Sequence, residues 1–150
     1  MPLAVEPFEL GGETYDVAPL PAELVVQRAA TGDLFRLRFP ATVSGPCMRC
    51  LAPASVDVAV DAREYQAVDA GDDEELRSDY VVEGELDLDT WARDQVALSL
   101  PVQILHRPDC AGLCPVCGKD LNVEPHTHDD EAVDPRWAAL QALREPPASD

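Results

Sequence analysis

Lysine is almost missing from this chain. One lysine and ten arginines stand against 29 acidic residues over 150 positions, a formal charge of −18. Polyphosphate backbones are repelled by such a balance, so direct, non-specific nucleic-acid binding is disfavoured. Aromatic residues make up only 5% while prolines number 14, so a core drawn from the 46% hydrophobic residues is modest and parts of the chain are extended or loosely packed. Nowhere do about 18 consecutive apolar residues occur, as a membrane span needs, and the opening Met1 to Glu6 lacks a positive leader-like region. The expectation is a soluble, cytoplasmic protein with no membrane partner. Gly-x-Ser-x-Gly, P-loop and Gly-x-Gly-x-x-Gly patterns are all absent. The length excludes a large multidomain enzyme.

What is present begins with cysteine. Five is an odd number, which fits a closed disulfide framework poorly and metal-binding thiolates in a reducing compartment better. Cys114-Pro115-Val116-Cys117-Gly118 carries the sharpest signal. Two intervening residues let both sulfurs converge on one ion while turn amides point at them, and Gly118 tolerates the turn. Within twenty residues lie Cys110, His126 and His128, so Cys110, Cys114, Cys117, His126 and His128 compete for the four places of a tetrahedral ion. Cys47 and Cys50 stand as an alternative or second pair. Thiolate and imidazole donors favour a structural Zn2+ over Mg2+, Ca2+ or an iron–sulfur cluster. His126-Thr127-His128 superficially matches the start of a metallohydrolase site, but nearby thiolates would close the open position that catalysis needs. No catalytic residue is assigned.

Phe35, Leu37 and Phe39 alternate with Arg36 and Arg38 as a half-buried strand does, continuing through Ala41 and Val43; Val56, Val58 and Val60 repeat the pattern. Between them Gly45, Pro46 and Pro53 punctuate an antiparallel connection, which puts Cys47 and Cys50 at a hairpin tip. Before residue 30 the pattern predicts a short strand over 14–17 and a fragment of helix over 22–29. A short strand is expected at Tyr80 to Val82. Asp87 or Asp89 caps a helix running to about Leu100, with Ala92, Val96 and Leu100 on one stripe and Pro101 ending it. Asp134-Pro135 starts a short terminal helix carrying Trp137, Leu140 and Leu143, stopped by Pro146.

These elements predict an α+β fold, an antiparallel hairpin or sheet core packed by one main helix, with a small C-terminal zinc-binding module and a short terminal helix. The expected divisions are an N-terminal extended segment over 1–30 packing on the core, the α+β core over 31–105 with an acidic loop at about 69–79, a zinc-knuckle module with terminal helix over 106–145, and a disordered tail over 146–150. Residues 61–94 carry 13 acidic and three basic side chains. Asp72, Asp73, Glu74 and Glu75 are candidates for contact with a basic partner, against the plain reading of a solvated linker. Arg36, Arg38 and Arg49 are the candidate basic surface, against the plain reading of solvent-facing strand residues.

Taken in order, Gly45-Pro46-Cys47-Met48-Arg49-Cys50-Leu51, the acidic middle, Leu98-Ser99-Leu100-Pro101, the run from Cys110 through Cys114-Pro115-Val116-Cys117-Gly118 to Asn122, and Asp134-Pro135-Arg136-Trp137-Ala138-Ala139-Leu140 resemble the YceD family over residues 30–144. Relatives with the second cysteine cluster often carry Cys-x-Cys where this chain has His126-Thr127-His128, an exchange that retains metal-binding capacity. The resemblance implies a role in accumulation of large-subunit ribosomal RNA, that is, in ribosome biogenesis. Given the charge, the expected route is protein contact with a basic large-subunit ribosomal protein or pre-ribosomal particle, with weak direct RNA binding at most. The gene's frequent neighbourhood with that of a small zinc-ribbon ribosomal protein in the family points the same way. The alternative is a zinc- or thiol-dependent enzyme, or a metallochaperone, acting on RNA or a protein client.

Overall fold

In the computed structural model, which describes residues 1–128 apart from 70, 72, 74 and 75, a long hairpin is the centre of the largest sheet. Its strands are β6 (Gly32–Pro46) and β7 (Pro53–Ala67), antiparallel and paired from Gly32↔Ala67 to Pro46↔Pro53 without interruption. The alternation seen in the sequence sets which face is buried. Phe35, Leu37, Phe39, Ala41 and Val43 point inward, with Leu37 opposite Ala62 and Phe39 opposite Val60 of the partner strand, and Leu37 and Val43 are fully buried. Each large apolar side chain so buried stabilises the fold by about 1.5–3 kcal/mol relative to exposure. The opposite face is wet and tied by cross-strand polar pairs: Arg36 grips Asp61 with two hydrogen bonds of 2.7 and 2.6 Å, and Thr42 donates to Asp57 at 2.6 Å.

The free edge of β6 is shared by two neighbours. Along its first half runs β5 (Glu23–Arg28), and near its end β3 (Glu13–Val17) pairs through Val17↔Val43 and Asp16↔Ser44. Before β3 lies β2 (Phe8–Leu10), and β1 (Pro2–Leu3) pairs with β4 (Leu20–Pro21). The strand expected over 14–17 is therefore present. The helical fragment expected over 22–29 is not: that stretch is β5, because the exposed backbone edge of β6 offers ladder hydrogen bonds to Leu24, Val25 and Val26, and β-branched residues suit a pleated surface. The first thirty residues are thus mostly strand rather than a merely extended segment.

Tyr15 of β3 fixes how this layer meets the hairpin tip. It is 1% exposed and donates its phenolic hydrogen to the carbonyl of Pro46 at 2.8 Å. Its ring occupies the space beside Gly45 so closely that a Cβ there would sit 2.4 Å from the ring. Glycine is required at 45 by this approach.

After the hairpin, β8 (Val81–Val82) and β9 (Glu85–Leu86) form a two-residue turn through Glu83 and Gly84, both with positive φ, and lead into α1 (Leu88–Ser99). Asp87 caps the helix, accepting from the Thr90 amide at 3.1 Å and its hydroxyl at 2.8 Å. The helix contacts β7 and buries Trp91, Ala92 and Val96 completely. The expected stripe is shifted, since Leu100 is the C-terminal cap and Trp91 takes the central position, with the Tyr80 ring stacked at 6.1 Å. The architecture is α+β, an antiparallel sheet with one main helix. Two compact units divide after Gly112, not at 106, so His106 and Cys110 belong to the first unit and the knuckle at Cys114 to the second. The terminal helix and tail expected beyond residue 129 lie outside the described residues. Among the described residues no helix is long and apolar enough to cross a membrane.

Candidate metal centres

Each Cys-x-x-Cys segment folds into the same turn. At the hairpin tip the Cys47 amide donates to the Ala52 carbonyl at 2.7 Å and the Leu51 amide returns to the Cys47 carbonyl at 3.0 Å. In the second unit the Cys114 amide donates to the Lys119 carbonyl at 2.8 Å and the Gly118 amide to the Cys114 carbonyl at 2.8 Å. The flanking residues pair alike, Pro46 with Pro53 and Leu113 with Asp120. The residue after the second cysteine takes positive φ in both, Leu51 at 63° and Gly118 at 73°. Position by position these are one knuckle built twice. Only the second carries the glycine that makes it conspicuous in sequence.

Around each knuckle two further donors assemble, all within 4.8 Å of one another: Cys47, Cys50, His106 and Cys110 in the first unit, and Cys114, Cys117, His126 and His128 in the second. Cys110 therefore sits with the first knuckle and not among the donors of the second, and His106 is a group member that the sequence reading left aside. The remaining four of the five competing residues, Cys114, Cys117, His126 and His128, do come together. The spacing His106-x-x-x-Cys110 was the available signal, but both of its partners lie more than fifty residues upstream.

One sulfur pair has the spacing that a tetrahedral zinc ion sets, and the thiol–imidazole contacts are somewhat closer. Two thiolates at about 2.3 Å from zinc have sulfurs about 3.8 Å apart, and a thiolate and an imidazole nitrogen lie about 3.5 Å apart. Cys47 Sγ and Cys110 Sγ are 3.8 Å apart; Cys50 Sγ lies 3.2 Å from His106 Nδ1, and Cys117 Sγ 3.1 Å from His126 Nε2. His126 turns its other nitrogen, Nδ1, to the Glu124 carbonyl at 2.7 Å. That contact places the ring proton on Nδ1 and directs the Nε2 lone pair at the cluster, as a metal-ligating histidine requires.

Local electrostatics prepares one thiolate in each group. Burial pushes the Cys47 thiol up, but hydrogen bonds from His106 and from the amides of Arg49, His106 and Cys50 outweigh it and bring the thiol down to about 5. Cys50 is held down by the Ala52 amide, yet burial and the neighbouring Cys110 and Cys47 raise it to about 11. Cys114 falls to about 6, chiefly through the Cys117 amide, against burial. The Glu124 carbonyl, then Cys114, raise His126 above its ordinary value.

The candidate partner residues are distributed differently from the sequence expectation. Arg36 and Arg38 share the wet face of β6, but Arg49 lies in the hairpin tip, bonded to the Gln103 side chain at 3.1 and 2.9 Å and to the Cys110 carbonyl at 3.0 Å. The three are not one patch. Arg63, directly opposite Arg36, joins the other two instead. Arg36 pairs with Asp61 and Arg38 with Glu23, both at 2.6 Å. Of the acidic run, Asp73 is described and exposed, whereas Asp72, Glu74 and Glu75 lie outside the described residues.

Fold and donor groups together define an antiparallel-sheet protein carrying two Cys/His tetrads suited to a metal ion. Residues 35–144 match the model of the family described as large ribosomal RNA subunit accumulation protein YceD, and the chain belongs to that family. It is 39% identical over 133 residues to the uncharacterized protein Rv2926c of Mycobacterium tuberculosis, covering 86% of this chain and 64% of the relative. Protein ML1660 of Mycobacterium leprae is 33% identical over 135 residues, 86% of this chain and 61% of the relative. YlbN of Bacillus subtilis is 29% identical over 114 residues, 72% and 66% respectively. The chain thus spans just under two thirds of the length of these relatives. No solved structure matches it.

Proposed function

We propose that this chain is a non-enzymatic factor in biogenesis of the large ribosomal subunit, working in the cytoplasm by contact with a basic ribosomal protein or pre-ribosomal particle. The observation that carries the reading is the family match across residues 35–144, a family linked to large-subunit ribosomal RNA accumulation. Charge supports protein contact over RNA contact. At −18 the chain repels phosphate, and Arg36, Arg38 and Arg49 are already engaged by Asp61, Glu23, Gln103 and the Cys110 carbonyl. A strongly basic protein would be steered toward the acidic 61–94 region instead, with Asp72, Asp73, Glu74 and Glu75 at its centre.

In this reading Zn2+ at Cys114, Cys117, His126 and His128 is structural. Four protein donors would saturate a tetrahedral ion and leave no water-accessible position, which favours a scaffold over a hydrolase. The test is genetic. Loss of the gene should lower the ratio of large- to small-subunit ribosomal RNA, and the full chain supplied in trans should restore it. An unchanged ratio in the deletion strain would remove the ribosomal role.

A further inference from the structure

We infer that Cys47, Cys50, His106 and Cys110 form a second, separate zinc site, which locks the hairpin tip to the segment following the helix. The proposal is independent of the ribosomal reading. Three independent features of the first unit carry it. Its knuckle reproduces, bond for bond, the turn at Cys114 to Cys117, although its own sequence has Leu51 in the left-handed position that glycine fills in the other. A non-glycine residue at φ 63° is a conformation that costs free energy, and holding both cysteines toward one point is the gain that offsets it. The Cys47 and Cys110 sulfurs stand 3.8 Å apart, the edge of a zinc tetrahedron and nearly twice a disulfide bond of about 2.05 Å. Finally, the donor set is three thiols and one imidazole with all three thiols buried, a composition that suits Zn2+ and not a hard cation.

The surroundings are built to hold these donors in place. The Met48 amide donates to the Ile104 carbonyl at 2.9 Å, and Arg49 reaches across to Gln103 and to the carbonyl of Cys110 itself. A Cβ at Gly112 would lie 3.2 Å from the Arg49 carbonyl, so the returning chain passes tightly over the knuckle. Yet between Pro101 and Ala111 only Ile104 and Cys110 are buried. Such a segment has little apolar surface to keep it docked, and a metal bond to His106 and Cys110 supplies what packing does not.

The test uses the full chain, purified under reducing conditions and loaded with zinc or, separately, with cobalt. Two zinc ions per chain are expected by native mass spectrometry. Cys110→Ser and Cys117→Ser should each retain one, and the double variant none. With cobalt, thiolate charge-transfer absorption reports five sulfurs in the wild type; Cys117→Ser should keep about three fifths of it, from the intact Cys3His set, and Cys110→Ser about two fifths. One zinc per wild-type chain overturns the proposal, as does a native mass 2 Da low with Cys47 joined to Cys110. Should Cys110→Ser fail to fold, the wild-type stoichiometry and the five-sulfur cobalt spectrum decide alone, and His106→Asn replaces it as the single-site variant.

Discussion

Replacing Gly45 with alanine should destabilise the first unit by about 2–4 kcal/mol. The added Cβ would fall 2.4 Å from Tyr15 Cδ1 and 2.8 Å from Cε1 and Cγ, against an ordinary carbon–carbon separation of about 3.5–4.0 Å. The ring must withdraw by roughly 1 Å, and because it is 1% exposed it has no solvent to withdraw into. Overpacking of this kind costs about 1–3 kcal/mol, and the 2.8 Å hydrogen bond from Tyr15 to Pro46, which the movement breaks, adds about 1 kcal/mol. Urea unfolding of the zinc-loaded full chain measures the change, read from a midpoint shift at constant slope. Gly84→Ala is the control: its φ is 82° but no heavy atom lies within 4 Å, so only backbone strain of about 1 kcal/mol is expected. In a Tyr15→Ala background the Gly45→Ala cost should fall below about 0.5 kcal/mol, since the clash has gone. If Gly45→Ala costs no more than Gly84→Ala, or costs the same with and without the tyrosine, the packing of β3 on the hairpin tip is wrong.

Trp91→Ala should cost about 3–5 kcal/mol, because the side chain is wholly buried and stacks on Tyr80; thermal unfolding of the two proteins checks it. Asp87 has its pKa held below the ordinary carboxylate range by the Thr90 amide and hydroxyl. Its capping contribution is therefore present above the unfolded value of about 3.9 and lost as pH falls through the lower folded value, so an Asp87→Asn variant should show a flatter stability profile in that acid window. Chelation should proceed in two phases, the second tetrad first, since Cys117 and His128 are exposed whereas all three thiols of the first tetrad are buried; a single phase in the wild type would contradict this order.

The hairpin is legible in sequence because alternation over Phe35 to Val43 and Val56 to Val60 leaves one register that puts these apolar residues on the same face, Phe35 to Val43 and Val60 buried and Val56 and Val58 half-buried. The tip followed from Gly45, Pro46 and Pro53. The four donors of the second tetrad stand out by local spacing, since all lie within fifteen residues, but spacing does not exclude Cys110, only four positions upstream. The first tetrad does not stand out, because the partners of Cys47 and Cys50 arrive 56 and 63 positions later, and only the path of the chain after α1 brings them back. The 22–29 stretch is ambiguous in sequence for a related reason. Ala22, Val25, Val26 and Ala29 satisfy helical spacing as well as strand propensity, and the deciding factor is the open edge of β6, a tertiary feature. Arg49 is near Arg36 and Arg38 in sequence but not in space, since a strand carries residues ten positions apart about 33 Å away from one another.

The action proposed for this chain on large-subunit assembly is contact with a basic protein and not with RNA. The most direct measurement is affinity capture of the full chain from cells, with and without ribonuclease digestion, and washed at low and at moderate salt. The expected result is a basic large-subunit ribosomal protein that stays bound after RNA is digested and is released as salt screens the acidic 61–94 region. Retention of ribosomal proteins only while RNA is intact would contradict it, as would capture of no ribosomal protein at all.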